Sequence, residues 1–263
     1  MKPNKTVVVF LLFAAGVLGF ALQAPAQEKK PQLYFIEDYV VKPGLVAPFE
    51  AAVKELVASI FTPYTWPWPM QTYVTEDFHY YFLYPFENMA QVDVAFTTFS
   101  QMIGKLGEQK WEAFNKKMGN AVEYYKQGTI TYLPELSYAP EKPRLKPEEA
   151  NVVYWGFCYV LSGMEREFEE QVKKMAALYK AKKISQGFNS WAGGMGVDSP
   201  FYFYSETAKS AADLYLTEER VMKLVDPEAT AIWKAMLGLM RKFEYKMGAY
   251  RPDLSYAPPA PKK

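Results

Sequence analysis

From residue 33 onward the chain alternates between short apolar runs and stripes at helical spacing. "LYFIEDYVV" (33–41) is aromatic and β-branched and stops at Lys42-Pro43-Gly44, which predicts a strand. Val46, Phe49, Val53, Leu56, Val57 and Ile60 then recur three or four apart, as on a helix with one apolar face. "MQTYVTE" (70–76) and "FHYYFLY" (78–84) predict two strands joined at Glu76-Asp77. Val92, Phe96, Phe99 and Ile103 mark a second helix, and Trp111, Phe114, Met118, Val122 and Tyr125 continue at helical spacing. "TITYLPEL" (129–136) closes the segment as a strand, with Pro134 placing it at an edge or end. The order is β-α-β-β-α-β.

The same order follows a second time. "VVYWGFCYVL" (152–161) is a strand. Phe168, Val172, Met175 and Tyr179 share a helix face. "FNSWAG" (188–193) and "FYFYS" (201–205) are the middle strands, Ile232, Met236, Leu239 and Phe243 lie on a late helix, and "GAYRPDL" ends the unit. The two stretches also share words. "YLPELSYAP" (132–140) matches "YRPDLSYAP" (250–258), and "YKQG" (125–128) matches "YKMG" (245–248). With one residue deleted, Tyr39-Val40 meets Tyr159-Val160, Phe49-Glu50 meets Phe168-Glu169, and Val53-Lys54 meets Val172-Lys173. Collinear matches over a period of about 120 residues point to a duplicated unit of domain size, too long for a solenoid repeat. The expected division is a signal peptide (1–26), a ferredoxin-like unit (27–140), a Pro-rich charged linker (141–150), a second unit (151–256) and a disordered tail (257–263). Strands such as 33–41 are apolar on both parities, so both sheet faces should be covered. Two four-stranded sheets packing on each other within the chain, as an α+β barrel, would cover them.

Composition and the chain's start change the picture in four places. The 263 residues carry a formal net charge of +1, which gives no case for nucleic acid or for an anionic membrane surface. Aromatic residues are 17% of the chain, enough for a large core and an aromatic-lined pocket besides. The start reads as a secretory signal: basic Lys2 and Lys5, an uncharged apolar run from Thr6 to Leu22, then "APA" (24–26) for cleavage before Gln27. A soluble periplasmic or secreted protein is expected, with no membrane contact after cleavage. The single cysteine, Cys158, rules out an intramolecular disulfide and reads as a buried inert thiol.

Candidate chemistry is sparse. His79 is the only histidine, and no His/Cys cluster has metal-ligand spacing, so no metal and no cofactor are implied. Glu37 and Asp38 interrupt the first strand and must face opposite sides of it. Whichever is buried must be paired, hydrogen-bonded or shifted in pKa, and could take a proton from a carbon acid or phenol. The candidate catalytic residues are therefore His79, Asp38 and Glu37, and the candidate pocket lining is Tyr39, Trp66, Trp68, Tyr81, Trp155 and Trp191. The stiff apolar loop "PYTWPWPMQ" (63–71) could cap a pocket, dock a partner or fold onto its own core. "WAGGMGVDSP" (191–200) lies between two strands with no helix start after it, so it is not a phosphate loop.

The strand, the "YVVKPGLVAPFEAAVKELV" turn and helix (39–57), the two further strands and the late "QKWEAFNKK" (109–117) together resemble the dimeric α+β barrel superfamily, nearest to its NIPSNAP-like and antibiotic-biosynthesis-monooxygenase-like branches. The resemblance implies a pseudo-dimer in one chain that needs no further oligomer, with ligands held between sheet and helices. Haem-handling members supply an axial histidine; His79 is in the first unit and the second has none, which disfavours that chemistry there. The functions left open are binding of a small apolar or aromatic molecule, cofactor-independent oxygenation of an aromatic or quinone-like substrate, and a non-catalytic interaction module built on the Trp-Pro loop.

Overall fold

The structure, a computed structural model, describes residues 30–260; the expected signal peptide and the last three residues of the tail lie outside them. Each half lays down four strands. The first supplies β1 (Gln32–Val41), β2 (Gln71–Thr75), β3 (His79–Phe86) and β4 (Val122–Tyr132). The second supplies β5 (Val152–Val160), β6 (Asn189–Gly193), β7 (Phe201–Ala208) and β8 (Met240–Tyr250). All eight close into an antiparallel barrel in the order β1-β3-β2-β8-β5-β7-β6-β4. Helices Val46–Leu56, Met89–Leu106 and Glu108–Ala121 cover the outer face of the first half, and Glu165–Ala181, Ala211–Val225 and Glu228–Gly238 that of the second. The fold is two ferredoxin-like units packed sheet to sheet. Among the described residues no helix is long and apolar enough to cross a membrane.

Both sheet faces are buried, as strands apolar on both parities require. Inside the barrel lie Leu83, Ile130, Val153, Trp155 and Phe203, ringed by Tyr34, Tyr73, Tyr81, Phe157, Trp191 and Phe201. Outside, Phe49, Val53, Tyr80, Phe82 and Tyr84 pack the first sheet on its helices, and Cys158, Phe168, Val172 and Met236 do so for the second.

The repeated nine-residue phrase is a pair of crossed latches. Leu136-Ser137-Tyr138, from the first half, docks on β6 of the second: Tyr138 and Phe188 exchange backbone bonds, and Ser190 N–H donates to Ser137 Oγ at 2.8 Å. Leu254-Ser255-Tyr256, from the second half, docks on β2 of the first: Tyr256 and Met70 exchange backbone bonds, and Thr72 N–H donates to Ser255 Oγ at 3.0 Å. Each serine also donates to its own backbone, at Leu133 and Arg251, both at 2.8 Å. The seams beside the latches are short, with three paired residues between β2 and β8 and three between β4 and β6.

The structure corrects four expectations. Val122 and Tyr125 belong to β4, and the predicted strand 129–136 begins earlier and ends at Tyr132, because Pro134–Leu136 makes a 3₁₀ turn. Phe243 belongs to β8, since the last helix stops at Gly238. Helix Ala211–Val225 was not expected; Ser210 caps it by accepting from Asp213 N–H, as Asn88 caps Met89–Leu106. The local register also shifts. Tyr80 and Tyr202 each donate to a helix glutamate, Glu50 and Glu169, and they pair with Tyr39 and Cys158. Tyr39 therefore corresponds to Cys158 rather than Tyr159, and no deletion is needed. The "YKQG" and "YKMG" words sit two residues out of step, because Gly128 pairs with Ile36 and Lys246 with Trp155, the residue corresponding to Ile36.

Candidate functional site

Strand alternation sends Glu37 and Asp38 to opposite faces of β1, so the predicted constellation divides in two. Glu37 faces the helices. Gln127 Nε2, from the neighbouring β4, donates to it at 2.7 Å, and the hydroxyls of Tyr84 and Tyr39 donate at 3.3 and 3.5 Å. A cavity of about 30 Å³ adjoins it, lined also by Val53, Leu56, Met70, Phe82 and Met118. Burial pushes the Glu37 carboxyl above the usual carboxylate range; the bonds from Gln127, Tyr84 and Tyr39 oppose the rise without cancelling it. The Tyr39 and Tyr84 phenols are also pushed up, by burial first and by Glu37 next. A carboxyl on an otherwise aromatic and methionine wall is equipped to accept a hydrogen bond or a proton from a buried ligand.

Asp38 faces the barrel interior and meets His79 there: Nδ1 lies 2.7 Å from Asp38 Oδ1, and Nε2 lies 3.7 Å from Asp77 Oδ2. Asp77 is engaged elsewhere, accepting from Thr75 Oγ1 at 2.6 Å and pairing with Lys246 Nζ at 2.7 Å. Lys246 is on β8, so this array spans the two halves. Burial opposes the Asp77 charge, but the bonds from Lys246 and Thr75 outweigh it and hold the carboxyl below its ordinary range. Tyr81 stacks beneath His79 at 5.8 Å.

The remaining predicted residues scatter. Tyr39 lines the Glu37 cavity. Tyr81, Trp155 and Trp191 are inside the barrel rather than between sheet and helices. Trp66 is only 4% exposed and stacks on Phe61 at 5.1 Å, and Trp68 packs edge-on against Trp66 and Phe86. The Trp-Pro loop thus folds onto its own core, and Trp66 has no surface to offer a docking partner. Cys158 is buried and its thiol is pushed up to about 12 by desolvation, in keeping with an inert side chain. Among the described residues no group of three or more His, Cys, Asp or Glu is placed to hold a metal ion. Sequence reasoning missed Gln127, Tyr84, Met70, Asp77 and Lys246. Gln127, Tyr84 and Lys246 reach their sites through strand pairing, and Met70 from just ahead of β2; Asp77 stood two residues from the only histidine.

The second half fills the same places differently. Glu37 corresponds to Gly156, over which the Tyr204 ring lies so closely that a Cβ there would collide with it. Asp38 and His79 correspond to Phe157 and Phe201, stacked at 5.9 Å. The second half's own buried acid is Glu206, at the place of Tyr84, pushed up to about 7 by burial and then by Glu218.

No known family profile matches the sequence, and no curated protein matches it. Solved structures do match in fold. An anthrone oxidase-like protein has a TM-score of 0.55 at 8% identity, over 84% of this chain and 91% of its own. Proteins provisionally described as monooxygenases, from Fusobacterium nucleatum and Lactobacillus acidophilus, have TM-scores of 0.52 and 0.51 at 9% and 10% identity, covering 85% and 86% of this chain and 94% and 96% of theirs. At such identities the likeness establishes a shared fold, the dimeric α+β barrel, here closed within one chain.

Proposed function

We propose that the protein binds a small aromatic molecule with an acidic O–H or C–H in the crevice between the first-half sheet and its helices, with Glu37 receiving the hydrogen bond. The carrying observation is this carboxyl, held by Gln127 and two tyrosines on an apolar wall and pushed up by burial. The cavity has room for about two waters, so a ring would enter by displacing Met118 and Met70, side chains that repack easily. Anthrone, named in one fold neighbour, is a suitable probe because its CH₂ is acidic and its rings are apolar. In titrations without oxygen, Glu37→Gln should weaken anthrone binding about tenfold, one charge-assisted hydrogen bond. Equal affinity in both proteins would refute the reading. Folding stability should also have a pH profile. The folded-state carboxyl titrates above its unfolded value, so stability falls as pH rises from the ordinary carboxylate range through the raised one, and Glu37→Gln should remove that fall.

A second reading, oxygenation, is favoured by the same raised carboxyl. Glu37 would take the CH₂ proton, the carbanion would add O₂ to a peroxide that takes the proton back from Glu37, and loss of water would leave the quinone. Oxygen uptake with anthrone, absent in Glu37→Gln, is the measurement. Duplication of one unit and export are part of the proposal too. The first is supported by the crossed latches and the second by residues 1–26; the N-terminal mass of exported protein, expected to begin at Gln27, tests the latter.

A further inference from the structure

On the β4 side of the Glu37 crevice, register sets Gln127 beside Glu37 and Tyr125 beside Tyr39, all four on the helix-facing side of the sheet. Glu37 and Tyr39 are half-buried and line the cavity. Their β4 neighbours are exposed: Tyr125 is 56% accessible, and Gln127 is also a surface residue. Both nevertheless reach inward. The Tyr125 ring lies flat on Tyr39, with centroids 5.2 Å apart and planes 16° apart, and Gln127 Nε2 donates to Glu37 Oε1 at 2.7 Å. A flat ring on Tyr39 and a donor on Glu37 are what an aromatic ligand with an acidic O–H would bring, and here the strand supplies both from exposed positions. The second half has no such arrangement. There Cys158 stands in the place of Tyr39 and Gly156 in that of Glu37, and Phe243, in the place of Tyr125, packs edge-on against Trp233 at 5.1 Å.

Resting on the crevice reading, we propose that Tyr125 and Gln127 are a built-in plug in the outer part of the site, and that the ligand is a flat, fused-ring phenol that displaces both. Its hydroxyl-bearing ring enters beside Glu37 and takes over the bond that Gln127 makes. Its outer ring takes the place of Tyr125 on Tyr39. Residues two apart on a strand are separated by about 7 Å. A fused two-ring phenol bridges that span, and a single ring does not. Opening the plug turns two exposed side chains into water, and the ligand remakes the stack and the hydrogen bond that are given up. The plug raises the apparent dissociation constant in proportion to the time the site stands closed.

The probes are 2-naphthol and tetrahydro-2-naphthol, the same phenol with its outer ring saturated, each titrated into the protein by calorimetry. Tyr125→Ser and Gln127→Ala should each bind 2-naphthol about fivefold more tightly than wild type. Damage to the fold can only weaken binding, so a gain in affinity marks a plug removed. Wild type should prefer 2-naphthol to the saturated analogue several-fold, because only a flat π face replaces the Tyr125 ring. Glu37→Gln should weaken 2-naphthol binding about tenfold. Unchanged or weaker binding in Tyr125→Ser or Gln127→Ala, with Glu37→Gln weakened, overturns the plug and sustains the crevice reading. Equal affinity of wild type for the two phenols overturns the fused-ring ligand class. Unaltered affinity in Glu37→Gln overturns the crevice reading and the plug with it.

Discussion

The two halves share a topology, a latch and a tyrosine-to-glutamate bond, and they differ at the places where chemistry is possible. In the first half Glu37 and the Asp38–His79 pair occupy both faces of one strand. In the second, Gly156 with the Tyr204 ring and the Phe157–Phe201 stack occupy the same two faces. Polar groups on both sides of a strand buried on both sides cost stability, and the second half shows that the fold does not need them. The first half keeps them at a cost that packing elsewhere must offset.

The largest way to break the comparison is at the seams. A Cβ on Gly248 would strike the backbone of Val74 and Thr75, whereas the corresponding residue at the other seam is already Ile130. Gly248→Ala should cost about 3 kcal/mol by urea denaturation. Gly156→Ala, which meets only the end of a tyrosine ring, should cost about 1 kcal/mol. Similar small losses from both would mean that the β2–β8 seam is loose.

A middle-sized effect separates the two glutamate sites. Glu50 is gripped by Arg251 from the second half's latch, whereas Glu169 has Leu133 in the corresponding place. Arg251→Leu copies the second half into the first and should cost about 2 kcal/mol at neutral pH. The Arg251 bonds hold the Glu50 carboxyl below its ordinary range. The stability they confer is present above the unfolded carboxylate pKa and is lost as pH falls through the depressed one. The deficit of the variant should shrink in acid, and a deficit constant with pH would show that Arg251 acts by packing alone.

The smallest effect sharpens the likeness. Ser137→Ala and Ser255→Ala each remove an acceptor from the other half's strand, and each should cost about 1 kcal/mol by thermal unfolding. Unequal losses would mean that the latches, alike in sequence and bonding, do not carry equal loads.

Much of the architecture is written locally. The Lys42-Pro43-Gly44 stop, the helical stripe from Val46 and the twin closing phrases suffice for strands, order and barrel. The errors arise where local patterns mislead. Val122 and Tyr125 keep helical spacing by coincidence on a strand buried unevenly, and a one-residue register choice at Tyr39 is invisible to identity matching although it decides which face each side chain takes. The site was half legible for the same reason. Alternation separates Glu37 from Asp38, but nothing near residue 37 announces Gln127, and nothing near residue 79 announces Lys246.

The crossed latches also set a timetable. β2 receives its edge partners from β8 and from Leu254–Tyr256, more than half the chain later. As the polypeptide emerges, the first half can form helices and hairpins but must wait with an open sheet edge until residue 256 has been made. Such late closure is slow and exposes a strand to wrong partners. It also keeps the nascent first half from locking before its partner exists, so the two halves must complete each other in a single late step.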